Sequence, residues 1–376
     1  MMQFKSTVVR LLWLAAFAAQ PVLAEPGVEI SGFLSVVGGK VTSGSIQGPW
    51  PSNPEVTCPC YIADYANFGT YGPDFSLSPE SRVGLQAVAT LTDQLSATAQ
   101  LTARGTESTP QLQWAYLTYA LSPNWNFQAG RQRIPLYFYS SFQDVGMAYP
   151  WISPPPELYG WEATNYNGAS VRNRTTLGET YVTASAFAGS ERVTDNRFQL
   201  AYGQKHVHVQ WDNIIGADVE LTRGWLTLRA VAMRADTSFV DREDAANDYS
   251  EDLTAYGLSA NMDFNKWFIL SEVATNRRLQ KSGSTAGITY TSPAVSVGVG
   301  RRMGAWTAFL NVARYQSITS NESVAASFEF QRSSLTVKYE LSPGSAIKAQ
   351  IDHYREPGDA YAGTANVVRI SYDRAF

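Results

Sequence analysis

Apolar and polar residues alternate one by one along most of this chain. In 95–104, Leu95, Ala97, Ala99 and Leu101 take one parity and Ser96, Thr98, Gln100 and Thr102 the other. In 366–376, Val368, Ile370, Tyr372 and Phe376 alternate with Arg369, Ser371 and Asp373. A period of two is that of an extended strand with one apolar and one polar face. The same reading places strands at 28–37, 82–91, 95–104, 111–121, 125–133, 162–174, 179–188 and 206–221. It places eight more at 225–235, 253–264, 267–276, 284–302, 306–316, 324–341, 346–355 and 363–376, sixteen in all. The segment 284–302 is interrupted by Pro293, which cannot donate to a ladder. No proline falls between Pro156 and Pro293, as continuous sheet requires.

The connections alternate in length. Three-residue turns such as Ser122-Pro123-Asn124, Thr222-Arg223-Gly224 and Ser342-Pro343-Gly344 carry turn residues. The intervening connections are long, among them 38–80, 134–160 and 236–252. An edge strand of a soluble β-sandwich would explain the last segment alone. It does not explain short turns at one end and long loops at the other, which is the asymmetry of a transmembrane β-barrel. The closing segment also has the length of a strand tilted across a bilayer, about 9–11 residues. Trp114, Trp125, Trp211, Trp225, Trp267 and Trp306 fall near strand ends, where an aromatic girdle would sit at the lipid interface. The predicted fold class is therefore all-β, an up-and-down antiparallel barrel.

Composition agrees. The chain is 12% aromatic and only 16% charged, against about 25% charged for an average soluble domain. A barrel has an apolar outside and a polar lumen, which accounts for the deficit. At the N-terminus, Lys5 and Arg10 precede the apolar run 11–19, and Val22-Leu23-Ala24 offers a cleavage site after Ala24. Residues 1–24 thus read as an export signal and 25–376 as one barrel domain. Removing two basic residues from 29 leaves 27 against 33 acidic residues, a net charge of −6 that argues against a nucleic-acid partner. Cys58 and Cys60 stand in Thr-Cys-Pro-Cys. An oxidising compartment favours a local disulfide, while a metal-binding pair is the other reading.

The opening strand with Ser31-Gly32-Phe33 is one of four segments that together resemble known proteins. The others are Gly130-Arg131-Gln132-Arg133-Ile134-Pro135, the turn Arg302-Met303-Gly304-Ala305-Trp306-Thr307, and terminal Phe376. The chain is similar to the sixteen-stranded porins of Gram-negative outer membranes over nearly all of its length after the export signal. That resemblance implies a homotrimer in the outer membrane with a water-filled pore in each subunit. It implies a third outer loop folded inward, loop carboxylates facing wall arginines, and a C-terminal strand, with Tyr372 and Phe376, read by the barrel-assembly machinery.

The candidate constriction is 134–160. It carries seven aromatics, including Tyr137, Tyr139 and Phe142, five prolines and only two charges, Asp144 and Glu157. An exposed loop of this length would be polar, so burial in the lumen is expected. Arg82, Arg131, Arg133, Arg172, Arg229 and Arg369 are the wall candidates. Arg229 shares parity with Thr227, and Arg369 with Ser371, so both should point inward. By parity Arg131 and Arg133 lie on the face of Trp125 and Phe127, which requires a bulge or a position above the bilayer.

Passive passage of small hydrophilic solutes and ions is the expected function. Selection of aromatic or sugar-like solutes by the aromatic loop is the alternative. An outer-membrane enzyme would need a nucleophile and base, and the three histidines, His206, His208 and His353, lack a partner motif. A purely structural barrel would need a filled lumen, and sixteen strands with one inward loop leave it open. No cofactor or metal site is expected.

Overall fold

The structure, a computed structural model, describes residues 27–46, 56–358 and 362–376. The expected export signal at 1–24 lies outside the described residues. The chain forms a closed antiparallel barrel of sixteen strands, as the alternation predicts. Its first half runs β1 (Val28–Gly44), β4 (Arg82–Thr90), β5 (Leu95–Arg104), β6 (Gln111–Ser122), β7 (Trp125–Arg133), β8 (Asn165–Leu177), β9 (Thr180–Val193) and β10 (Val207–Arg223). Its second half runs β11 (Leu226–Asp241), β12 (Tyr249–Asp263), β13 (Trp267–Gln280), β14 (Thr289–Met303), β15 (Trp306–Thr319), β16 (Phe328–Ser342), β17 (Ser345–Glu356) and β18 (Gly363–Ala375). Closure comes from β1, which pairs β4 on one side and β18 on the other. Backbone bonds between Gly32 and Phe376 in both directions (2.8 and 3.0 Å) complete that seam. With no free edge, the backbone ladder passes all the way round, as hydrocarbon demands.

The parity reading holds through most strands. On β18, Val368, Ile370 and Tyr372 are exposed on the outside, while Arg369, Ser371 and Asp373 are buried inside. Trp125, Trp225, Trp267 and Trp306 are exposed outside, beside the short turns. Trp114 and Trp211 depart from the expected girdle. Trp114 donates to Gln86 in the lumen (3.1 Å), and Trp211 is fully buried against Trp161. A bulge at Gln113 displaces the parity of β6, and another follows Trp211 in β10. One extra residue sends the next side chain to the other face.

Three further differences concern the long connections. The strand around Pro293 begins at Thr289, not 284, and its ladder with β15 skips from Thr291 to Ala294. Strand β1 runs to Gly44, and the connection after it holds a hairpin, β2 (Tyr61–Asp64) and β3 (Gly69–Tyr71). Cys58 and Cys60, just before that hairpin, are disulfide-bonded. The hairpin packs into the barrel, where Tyr61 and Tyr71 are buried with Val41, Phe330, Tyr354 and Val367. A helical turn at Arg197–Tyr202 joins it through Ala201 and Phe198. The expectation of one inward loop is therefore corrected to three inward segments.

Candidate functional site at the lumen constriction

The connection from β7 to β8 crosses the lumen as two short turns, Ser140–Phe142 and Gly146–Ala148, and one helical turn, α1 (Pro156–Tyr159). Proline at the first helical position fixes φ and forfeits no bond there. Tyr139 is the hub of the loop's own core. Its ring lies 5.0 Å from Phe138, 5.4 Å from Phe142 and 5.4 Å from Trp151, all edge-on. Tyr137 packs on Tyr159 at 4.7 Å, and Trp151 meets Phe309 of β15 at 4.9 Å. Tyr137 and Tyr139 are buried, and Phe142 is partly buried against the same cluster. The aromatics fill space between loop and wall, as the composition of 134–160 predicts.

Both loop carboxylates are bound to the wall. Asp144 accepts from Arg104 (2.7 Å) and Arg133 (2.6 Å), and Arg82 donates to its backbone carbonyl (2.8 Å). Arg82 also donates to the Tyr149 hydroxyl at 2.6 Å. Burial alone would raise the Asp144 carboxyl, but Arg104, Arg133 and Arg82 together hold it below the ordinary carboxylate range. Burial pushes the Tyr149 phenol up, against the pull of Arg82, so it stays a neutral hydrogen-bonding group. Glu157 receives Arg332 (3.0 Å), whose other arm reaches Asp352 at 3.0 Å. Asp352 also accepts from Arg369 (2.8 Å), and Arg369 reaches Glu80 at 2.7 Å. The chain Glu157–Arg332–Asp352–Arg369–Glu80 thus ties the constriction loop and the first connection to β16, β17 and β18. The Arg369 guanidinium lies 5.7 Å from the ring of Tyr61 in the inward hairpin.

Two more contacts fix the loop. Lys348 donates to the carbonyls of Gly146 (2.6 Å) and Trp151 and lies 3.3 Å from Asp373. Glu272 on β13 accepts from the Phe138 amide (2.7 Å), the Tyr159 hydroxyl (2.7 Å) and Ser259 (3.0 Å). Gly146 fits tightly at its turn, where a Cβ would stand 2.0 Å from Asp373 Oδ1 and that carboxylate would have to shift.

The wall candidates divide accordingly. Arg82, Arg133 and Arg369 point inward but are consumed by these bonds. Their expected position facing solute is corrected: each is at most 8% exposed. Asp144 and Glu157, at 5% and 3%, likewise do not face arginines across an open gap. Opposite charges brought this close in a dry interior bond directly. Arg133 gets inside at the long-loop end of β7, past Gly130 (φ +133°) and beside the bulged Gln113, to which it donates at 2.9 Å. Arg131, at the same end, pairs with Glu191 at 2.7 Å. Arg229 points inward as expected, donating to the Pro135 carbonyl and lying 3.5 Å from Asp218. Arg172 shares its face with lumen-facing Ser170 and forms no ion pair among the described residues, and neither does Arg174 next along that face.

Sequence reasoning did not single out Glu80, Arg104, Arg332, Asp352, Lys348, Asp373 or Glu272. The parity test that placed Arg369 inside applies equally to Arg332, which shares a face with Ser334 and Thr336, and to Lys348 and Asp352. His206 and His208 lie at the long-loop end with Asp195, whose carboxylate is 3.2 Å from His206. Among the described residues no group of three metal-ligating side chains gathers.

A family model described as Gram-negative porin matches residues 11–359. No match was found among curated protein sequences. Among solved structures, the outer membrane channel DcaP of Acinetobacter baumannii superposes with a TM-score of 0.62 at 14% identity, covering 96% of this chain and 100% of that one. The anion-selective porin of Comamonas acidovorans gives 0.59 at 14% identity, covering 94% and 100%. The trimer form of OmpT, an outer membrane protein of Vibrio cholerae, gives 0.55 at 11% identity, covering 94% and 100%.

Proposed function

The chain belongs to the Gram-negative porins, and on that premise we propose that its latched loop makes it a narrow channel for small solutes. It is an outer-membrane β-barrel through which small hydrophilic solutes and ions diffuse passively. The observation that carries the narrower reading is the fastening of 134–160 by Asp144 at one place and Glu157 at another. A loop held by buried ion pairs cannot swing aside cheaply, so the size of the gap is fixed by packing. In this reading Asp144, Glu157, Arg82, Arg133 and Arg369 set the shape of the constriction, and Tyr137, Tyr139 and Phe142 fill it. Arg172, which has no carboxylate partner among the described residues, meets the permeating ions, while Arg229 and Arg131 are held by Asp218 and Glu191.

The finer assignments follow from the same premise. The protein carries no catalytic activity. It is exported by residues 1–24 with cleavage after Ala24, and Tyr372 and Phe376 are read by the barrel-assembly machinery. The subunits form a homotrimer, the state named for the Vibrio OmpT structure. Planar-bilayer recording of the purified protein tests the reading. Current steps in groups of three, with exclusion of all but small polyols, are expected. Correctly folded protein without conductance would overturn it.

A further inference from the structure

A cavity of about 400 Å³ opens at the long-loop end, between the constriction loop and β12 to β16. It borders the latch at Glu157, whose carboxylate is taken by Arg332. Its volume is that of a small-molecule site, and its lining mixes aromatic rings with polar side chains. Tyr202 and Phe328 expose their rings at its lip, at 54% and 38%. Deeper, Tyr249 lies flat on Phe239 (4.3 Å, 13°) and Tyr315 on Phe330 (4.7 Å, 20°). These stacks hold the rings rigid. Between them run amides and hydroxyls, including Gln204, Asn247, Asn276 and Ser284.

The charges in this cavity are already matched, Glu157 by Arg332 behind the lining and the other two carboxylates by Arg278. Arg278 donates to Glu162 and to Glu251, each at 2.9 Å, and lies 5.5 Å from the ring of Trp161. An organic cation would find the Trp161 face taken by an internal guanidinium. An aromatic carboxylate would meet three acidic side chains, Glu157, Glu162 and Glu251, and an arginine already saturated by two of them. A neutral ring with one apolar face and a rim of hydroxyls suffers neither conflict. Its C–H face suits flat aromatic platforms, and its hydroxyls both donate to the carboxylates and accept from amides.

We infer that this cavity is a binding site for a neutral saccharide, a mono- or disaccharide held on Tyr202, Phe328, Tyr249 and Tyr315 before it passes the constriction. The inference rests on the channel reading for the passage step but not for binding.

Maltose, benzoate and tetraethylammonium are the probes, added to the long-loop side of the full-length protein in a planar bilayer. Maltose is expected to reduce the ion current saturably, and the other two only in proportion to concentration. A variant carrying Tyr202→Ala and Phe328→Ala should need about tenfold more maltose for half-block, read against its own open current. Tryptophan fluorescence of the unaltered protein in detergent should titrate with maltose to the same half-saturation, since Trp161 lines the cavity. Saturation by benzoate or tetraethylammonium instead of maltose overturns the saccharide assignment. A conducting protein that no probe saturates overturns the site and leaves the channel reading standing. A protein that titrates with maltose but does not conduct upholds the site and overturns the channel.

Discussion

Two sectors of the same lumen wall carry arginines of the same parity and treat them differently. On β16 to β18, Arg332 and Arg369 are locked between Glu157, Asp352 and Glu80 and are at most 2% exposed. On β8, Arg172 and Arg174 point into the same lumen with no carboxylate attached. The first sector holds a loop in place; the second is left to the solvent. Inward orientation therefore does not make an arginine part of the selectivity filter. Its charge acts on passing ions only where no inward segment has neutralised it. In the first sector the charges stabilise because each is paired and hydrogen-bonded; one removed partner leaves its neighbour buried and unmatched.

The largest effect should come from breaking the latch. Glu157→Ala leaves Arg332 with Asp352 as its only remaining carboxylate at the head of a buried chain of five charged groups. A loss of about 3–5 kcal/mol is expected, read as a lower midpoint of heat or urea unfolding, together with a higher single-channel conductance as the loop loosens. Unchanged stability and conductance would erase the distinction between the sectors.

The open sector should respond in the opposite way. Arg172→Ala together with Arg174→Ala is expected to shift the reversal potential in a salt gradient toward cation preference. The unfolding free energy should change by less than about 1 kcal/mol, since neither half-buried arginine holds a carboxylate partner among the described residues. A large stability loss with unmoved selectivity would show that this sector, too, is structural.

The smallest effect concerns pH. The Asp144 carboxyl is held below its ordinary value by Arg104, Arg133 and Arg82. A depressed folded-state value gives stabilisation that is complete above the unfolded value, near 4, and lost only as pH falls through the folded value. Conductance and thermal stability should accordingly stay level from about pH 7 down to about pH 5 as far as this group is concerned. In Asp144→Asn the share of the acid-induced loosening below about pH 4 that belongs to this carboxylate should disappear. A step in the unaltered protein between neutrality and pH 5 that persists in this variant would assign the titration elsewhere.

Much of the barrel was legible because a strand writes its two faces into alternate residues. The sixteen strands, the short-turn and long-loop ends, the outward face of Val368, Ile370 and Tyr372, and the inward face of Arg229 and Arg369 all follow from period two. The inward position of 134–160 followed from its composition, since seven aromatics with two charges are not a solvated loop. Trp114 and Trp211 were misplaced because a bulge changes parity without changing the residues that spell it. The inward hairpin of β2 and β3 gave a weaker signal. Its segment mixes Tyr61, Ile62 and Tyr71 with Asp64, Asn67 and glycines, as an exposed loop might.

The sequence by itself determined the barrel, because alternation is a local property and closure satisfies a backbone that has no water. It also determined that Arg229 and Arg369 face the lumen. Only the tertiary structure decided which of them remain available there. The partners of Glu157 lie 175 residues away at Arg332, and those of Arg369 289 residues away at Glu80, so no local spacing records them. Loop and wall meet in a dry interior where unpaired charge is costly, and the pairing that results consumes the groups that an open pore would have shown to its solutes.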